Sequence, residues 1–470
     1  MNRAPVAWVA YGALAAALAL SGIAHWVWAI TLRGPVLYGE GAVANAAILA
    51  RDHLQYDALA RWQDGAPIFT AANYPPLFFQ LASLGDDPFA AGRITSIAAT
   101  LFVAAAIARR ARPAGWLTAV AIALAWLGSV PVLQWGSAVK PDLVALAFTV
   151  GAVMALDGSK PRHTLAGALI GLAVMTKPTA LLPALTMFAF VARRDPFAAA
   201  RALVAGAVAA FVVMIATGSG PNSLVLHVID WNALPWRVDL AASLLIFGLV
   251  LLAVPIATIA LTRPSTTIVT AYALGALGIV LLGGREGATI NYLLDLSAAL
   301  ALAIGGRAPL LASGVRFPIA AIAQSAVAVL LLNPFGVIPG RPATTGAWGD
   351  PERLAAVARI SGSLLVEDSG LLVADGRQPA VDDVFLWSRN RAREVTDRFI
   401  FPAGDQLIAA VRAGRFDAVV TEVDLASLDL VGGFERQRWH PDLVAAVLDR
   451  YSLQLSPDRR PGAVLVYMRR

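Results

Sequence analysis

The sequence predicts a polytopic α-helical membrane protein of about eleven spans with a C-terminal extracytoplasmic α/β domain. Three observations carry that expectation. Of the 470 residues, 58% are hydrophobic and 14% charged, with a mean hydropathy of +0.67, too apolar for a water-soluble chain. Apolar stretches approaching the roughly 20 residues that a bilayer core requires recur up to about Pro334. From Thr345 onward charge becomes dense and short β-branched runs appear; 16 Arg stand there against 18 Asp and Glu, a net of −2. The preceding part holds 21 basic and 13 acidic residues, a net of +8. Its excess follows membrane topology and does not point to nucleic acid. Without Cys, neither disulfides nor thiolate metal sites are possible.

The spans are centred near Leu18, Val103, Ala125, Ala147, Leu169, Leu185, Ala209, Phe247, Gly275, Ala298 and Ala326. Each must be helical, because backbone groups in lipid have to be satisfied within the segment. Those at Leu169 and Leu185 are short and separated by Lys177-Pro178, so a tilted or partial crossing stays open. Orientation follows from charge. With the N-terminus cytoplasmic, the inner loops hold 12 basic residues (Arg3, Arg109, Arg110, Arg112, Lys160, Arg162, Arg193, Arg194, Arg201, Arg263, Arg307 and Arg316). The short outer connections hold four: Lys140, Lys177, Arg237 and Arg285. An odd number of spans then puts the C-terminal domain outside. The first apolar run is too long for a signal peptide and reads as an uncleaved anchor. Residues 1–340 form the membrane domain, with a first outer loop over about 33–90, and 341–470 the outer domain.

In the outer domain, Ser363 to Glu367 and Asp417 to Thr421 read as buried strands, while Gly404 to Arg412 and Pro441 to Arg450 have helical spacing. Tyr451 to Leu455 and Gly462 to Tyr467 read as a closing strand pair around the turn Pro457-Asp458-Arg459-Arg460. Pro334, Pro339, Gly340 and Pro342 mark the linker.

Tyr38-Gly39-Glu40-Gly41 lies just past the first span, and Asn73-Tyr74-Pro75-Pro76-Leu77-Phe78-Phe79 returns the chain to the membrane. Gly92-Arg93-Ile94, Lys140-Pro141-Asp142, Thr176-Lys177-Pro178 and Asn291-Tyr292-Leu293-Leu294 follow in order. Together they resemble the C-type (GT-C) glycosyltransferase superfamily, nearest the bacterial integral-membrane branch that includes lipid A and lipopolysaccharide-core sugar transferases. The resemblance implies a polyprenyl-phosphate-linked sugar donor, chemistry on the periplasmic face of the bacterial inner membrane, and a first-loop acidic residue as base. Family members often carry Asp or an Asp-Glu pair where this chain has Glu40-Gly41. A divalent metal is compatible with the resemblance, but nothing in the sequence indicates one.

Transfer from a polyprenyl phosphate needs a base for the acceptor hydroxyl and cations for the departing phosphate. Glu40 is the candidate base, against the simpler role of an acid at the N-terminus of a helix beginning near Ala42. Of the 37 basic residues only three are Lys, at 140, 160 and 177. The two on the outer side each precede Pro, which suits compact phosphate-binding ammonium groups, or snorkelling from helix ends. Arg285, in Gly283-Gly284-Arg285-Glu286-Gly287, is a third phosphate candidate or half of a salt-bridged pair with Glu286. Asp142 binds the sugar or pairs with Lys140. Tyr38, Asn73, Tyr74, Asp142, Glu286, Asn291 and Tyr292 are expected to line the sugar and acceptor pocket.

Asp295 within a span is expected to face protein or water. Trp231 and Trp236 read as belt anchors and His227 as an interface residue. The five His show no spacing for a metal, and Glu367-Asp368 reads as a solvated strand end. No phosphate-cradling or dinucleotide motif follows a strand. The rival classes are a secondary transporter, which would show matched broken helices in two halves, and a non-catalytic scaffold, which would leave Glu40, Lys177 and Arg285 without consequence. A glycan ligase shares the donor logic and stays open. The partners expected are therefore the lipid-linked donor, an extracytoplasmic glycan, lipid or protein acceptor, and the bilayer.

Overall fold

α1 (Ala4–Thr31) opens the computed structural model, which describes residues 3–56, 67–262, 267–332, 351–397, 401–430, 436–454 and 464–470. Two short helices, α2 (Glu40–Ala50) and α3 (Leu77–Ala82), lie in the loop before α4 (Pro88–Ala111). The start of α4 is fixed by Asp87, whose carboxylate accepts the amides of Phe89 and Ala90, with Pro88 in the first turn. Then come α5 (Trp116–Leu127), α6 (Val130–Trp135), α7 (Asp142–Leu156), α8 (His163–Val174), α9 (Leu181–Ala192) and α10 (Pro196–Ala216). α11 (Pro221–Leu224) runs into a π-helical turn, Val225–Asp230, before α12 (Val238–Leu261), α13 (Ile268–Leu282), α14 (Leu294–Leu311) and α15 (Arg316–Leu332).

All eleven expected centres fall on apolar helices. By length and composition, five segments among the described residues suffice to cross a membrane: Ala4–Thr31, Pro88–Ala114, Pro196–Ala216, Val238–Leu261 and Ile290–Leu311. α8 and α9 have 12 residues each, about 18 Å of helix, well short of a hydrocarbon core of about 30 Å. Small residues draw α8 to α10: a methyl on Gly167 or Gly171 would collide with the backbone carbonyls of Ala202 and Gly206. This is the close approach that small residues four apart permit. In α12, Pro255 has no amide for the Leu251 carbonyl. The Gln324 amide donates to that carbonyl at 2.5 Å and accepts the Val254 amide at 2.6 Å.

The C-terminal residues form α16 (Pro351–Ala358), β1 (Leu364–Val366), α17 (Gly370–Ala374), α18 (Val384–Asp397), α19 (Pro402–Arg412), β2 (Ala418–Thr421), α20 (Pro441–Arg450), β3 (Tyr451–Gln454) and β4 (Leu465–Arg469). The sheet order is β1-β2-β4-β3; β1 and β2 are parallel, the other pairs antiparallel. The expected strands and helices occur here, and the closing pair runs from Tyr451↔Arg469 to Gln454↔Val466. The expected turn at Pro457 to Arg460 and the proline linker lie outside the described residues. Glu367-Asp368 corrects the expectation of a solvated strand end. Both are buried, because Arg438 donates to Glu367 at 2.9 Å and Glu367 accepts the Glu422 amide. Burial raises the Asp368 carboxyl to about 8.

Loop segments of the membrane part are built into this unit. Phe69 bridges Val381, Ala380 accepts the Ile68 amide at 2.7 Å, and Asp382 accepts the Ala71 amide at 2.8 Å. Ile68, Phe69, Ala71 and Leu234 share one apolar core with Trp387, Phe401 and Tyr467.

Below that junction, Arg93 on α4 gathers the end of α1. Its guanidinium donates to the carbonyls of Ala29 (2.8 Å), Leu32 (2.7 Å) and Gly34 (2.6 Å), and pairs with Glu40 at 3.1 Å. Both partners have no exposed side-chain surface. Removing one member of such a pair leaves an uncompensated buried charge, typically about 3–5 kcal/mol. Arg93→Ala is therefore expected to lower unfolding stability in detergent by about that amount, read as a drop in melting temperature. An unchanged melting temperature would refute the anchoring role.

Candidate active site

A cavity of about 220 Å³ opens where the loops meet the outer domain. Leu37, Tyr38 and Gly39 come from the loop before α2, Asn73 and Tyr74 from the loop before α3, and Gln134 and Trp135 from α6. Lys140, Asn232, Arg285, Glu286 and Asn291 add the polar wall, and Asp383, Phe385 and Arg438 close it from the outer domain.

Local backbone explains the two glycines around Glu40. Gly39 has φ +75°, a left-handed conformation that side chains resist, and a Cβ there would meet the Lys140 ammonium at 2.9 Å. Gly41 lets α2 touch α17, since a methyl would collide with Gly370. Glu40 itself begins α2 and does not line the cavity. One carboxylate oxygen accepts the Val36 amide (2.7 Å) and faces Arg93; the other accepts the Val139 amide at 2.8 Å.

The cations divide into two kinds. Lys177 is tied up: its ammonium lies 2.6 Å from Asp142 and 4.9 Å above the Tyr292 ring, and it is not on the cavity wall. Burial works to lower its pKa, but the charge and hydrogen bond of Asp142, with Tyr292 and Asp295, together outweigh that and the net shift is upward. Asp142 thus pairs with Lys177 and not with Lys140, and also accepts the Asn291 side-chain amide at 2.7 Å. Tyr292, beneath Lys177, is likewise off the wall. Lys140 is the opposite case. It is 9% exposed and lines the cavity, and its ammonium makes no hydrogen bond or ion pair among the described residues. Burial lowers its pKa, against the fields of Asp383 and Glu40. Arg285 lines the cavity, donates to the Asn232 carbonyl at 3.0 Å, and has no ion pair among the described residues. The expected Arg285–Glu286 pair is replaced: Glu286 pairs with Arg389 at 2.6 Å and faces Arg237 at 3.9 Å.

Of the expected pocket residues, Tyr38, Asn73, Tyr74, Glu286 and Asn291 stand on the wall. The Tyr38 hydroxyl donates to Asp383 at 3.3 Å and accepts the Phe385 amide at 3.0 Å, while Arg438 stacks 4.1 Å over its ring. Asn232 donates to the Asn73 carbonyl at 2.8 Å. His227 is buried between Tyr56 and Trp231 and held down to about 4 by that burial. Asp295 accepts the Tyr272 hydroxyl at 3.2 Å. Among the described residues, no group of three or more His, Asp or Glu is placed to hold a metal ion. Sequence reasoning missed Asp383, Arg438, Asn232 and Gln134. The acidic pair Asp382-Asp383 directly before a helical segment was the available signal; for Arg438, some 400 residues from Tyr38 in the chain, there was none.

Residues 67–226 match glycosyltransferase family 87. No curated protein matches the chain. Among solved structures, ArnT from Cupriavidus metallidurans in its apo state is similar over 98% of both chains, with a TM-score of 0.58 and 14% identity. The same enzyme bound to undecaprenyl phosphate is similar over 97% of both chains, with a TM-score of 0.58 and 15% identity. The chain therefore has the fold of a GT-C membrane glycosyltransferase, in line with the resemblance read from its motifs.

The two lysines make opposite predictions. Lys177→Met strands the Asp142 carboxylate and is expected to cost about 3–5 kcal/mol of stability. Lys140→Met removes a buried charge that has no ion pair among the described residues and is expected to cost no more than about 1 kcal/mol. Thermal unfolding of the two variants side by side checks this; equal losses would contradict the pairing.

Proposed function

We propose that the chain is an integral-membrane glycosyltransferase that moves a monosaccharide, hexose or pentose, from a polyprenyl-phosphate-linked donor to an extracytoplasmic glycan, lipid or protein. One observation carries the proposal: Lys140, a buried ammonium with no hydrogen bond or ion pair among the described residues, lines a cavity at the junction with the C-terminal domain. A buried unpaired cation is costly unless an anion completes it. Support comes from the family match and from the fold, which is that of an enzyme crystallised with undecaprenyl phosphate.

In this scheme Lys140 and Arg285 meet the donor phosphate, the first as a point charge and the second as a fork. The bond between the anomeric carbon and the phosphate oxygen breaks, and the electron pair leaves with the polyprenyl phosphate. The acceptor oxygen attacks the opposite face in a single displacement that inverts the centre. Phosphate leaves readily, so the step needs a base more than an acid. Lys177 acts through Asp142, which orients Asn291 at the wall. Glu40, expected as the base, serves here as the anchor of the cavity floor, both its oxygens being committed. The charge bias puts the N-terminus in the cytoplasm and the cavity on the outer face of the inner membrane.

Mass spectrometry of copurifying lipids, with undecaprenyl phosphate added back to delipidated protein, is the direct test. Wild type is expected to retain polyprenyl phosphate or its sugar, and to be thermally stabilised by the added lipid, by about 2.7 kcal/mol at a hundredfold excess over Kd. Lys140→Met and Arg285→Ala are expected to lose both responses. A wild type that neither retains the lipid nor responds to it would overturn the proposal.

A further inference from the structure

We infer that Asp383, contributed by the outer domain, is the base that takes the acceptor proton. The inference rests on the transfer reaction proposed above and deepens it. Once Glu40 is committed to Val36, Val139 and Arg93, the carboxylates on the cavity wall among the described residues are Glu286 and Asp383. Glu286 lies between Arg389 and Arg237. Asp383 is different. Its Oδ1 accepts the Tyr38 hydroxyl and the Leu386 amide at 2.9 Å, and among the described residues no hydrogen bond or ion pair engages Oδ2. One oxygen holds the side chain still while the other is available to the cavity.

Its surroundings suit the task. Asp382 precedes it on the chain, Tyr38 and Tyr74 face it from the first outer loop, Lys140 from the loop before α7, and Arg438 from the outer domain. Burial raises its pKa from the ordinary carboxylate value, and the Leu386 amide, Lys140, the Tyr38 hydroxyl and Arg438 oppose that without cancelling it. A more basic carboxylate is a better proton acceptor near neutral pH. In the step, the acceptor O–H bond breaks as its oxygen bonds to the anomeric carbon. The proton goes to Asp383 Oδ2 and the electron pair of the broken C–O bond leaves on the polyprenyl phosphate. No further reactant is needed.

The bland alternative is that Asp383 only caps α18 through the Leu386 amide. Asp383→Asn separates the two roles, because Asn caps a helix about as well as Asp but accepts no proton. The assay is release of polyprenyl phosphate from synthetic polyprenyl-phosphate hexoses and pentoses by the full-length protein in its native membranes. Asp383→Asn is expected to lower release about 100-fold or more, with undecaprenyl phosphate binding within about twofold of wild type. Wild-type release is expected to fall as pH drops through the raised Asp383 pKa, since a base works only when ionised, and the residual release of the variant should lack that limb. Release at the wild-type rate in Asp383→Asn overturns the inference. If instead the wild type binds no undecaprenyl phosphate and releases none, the transferase proposal itself has failed, and the inference with it.

Discussion

Everything near the cavity is hung on the buried ion pair between Arg93 and Glu40. Arg93 satisfies three carbonyls at and beyond the end of α1, and Glu40 holds the amides of Val36 and Val139. Five stretches of chain therefore meet at two charges: the end of α1, the loop after it, the start of α2, α4, and the segment leading to Lys140. A buried pair of this kind contributes little net stability compared with an apolar replacement. What it supplies is position, because each charge has to be surrounded by donors or acceptors and there is one way to arrange them. Lys140 follows Val139 directly, so the same constraint that fixes Glu40 sets the height of the unpaired ammonium above Gly39.

Charges around the cavity sort by whether they are already balanced. Lys177 with Asp142, Glu286 with Arg389, and Arg438 with Glu367 and Glu422 are closed pairs or clusters. They hold Asn291, the Arg285 loop and the Tyr38 ring in place. Lys140 and Arg285 also stand on the wall, and unlike Arg438 they have no ion pair with a carboxylate among the described residues. Closed pairs give a rigid frame, whereas open cations give a binding deficit that an anionic ligand completes.

The sequence made the helices legible because lipid forces hydrogen bonding into each apolar segment. Crossing was harder to read, since α8 and α9 are 12 residues long and hydropathy does not report length limits set by packing. The strands Leu364–Val366 and Ala418–Thr421 were readable as continuous apolar runs, being buried on both faces. Seven residues of the motifs, Tyr38, Asn73, Tyr74, Lys140, Arg285, Glu286 and Asn291, line one cavity. Partner choice was the illegible part. Nothing local says that Asp142 reaches Lys177 across 35 positions of chain when Lys140 is two residues away. Likewise, Glu367-Asp368 looks solvated until Arg438 arrives from 71 residues further on.

The outer domain is a wall of the site and not an attachment to it. Asp383 and Arg438 reach the cavity from that domain, Ile68 and Phe69 from the first loop enter its core, and Gly41 and Gly370 are in contact at the seam. Under the proposed transfer, an acceptor meeting a donor phosphate at Lys140 would approach between the two parts. In the reaction proposed above, Asp383 would meet the acceptor hydroxyl from the C-terminal wall of the cavity, while Lys140 would meet the phosphate from the loop before α7. Lys140 and Asp383 feel each other's field across the cavity without an ion pair or hydrogen bond between them among the described residues, so each stays open to its own part of a ligand.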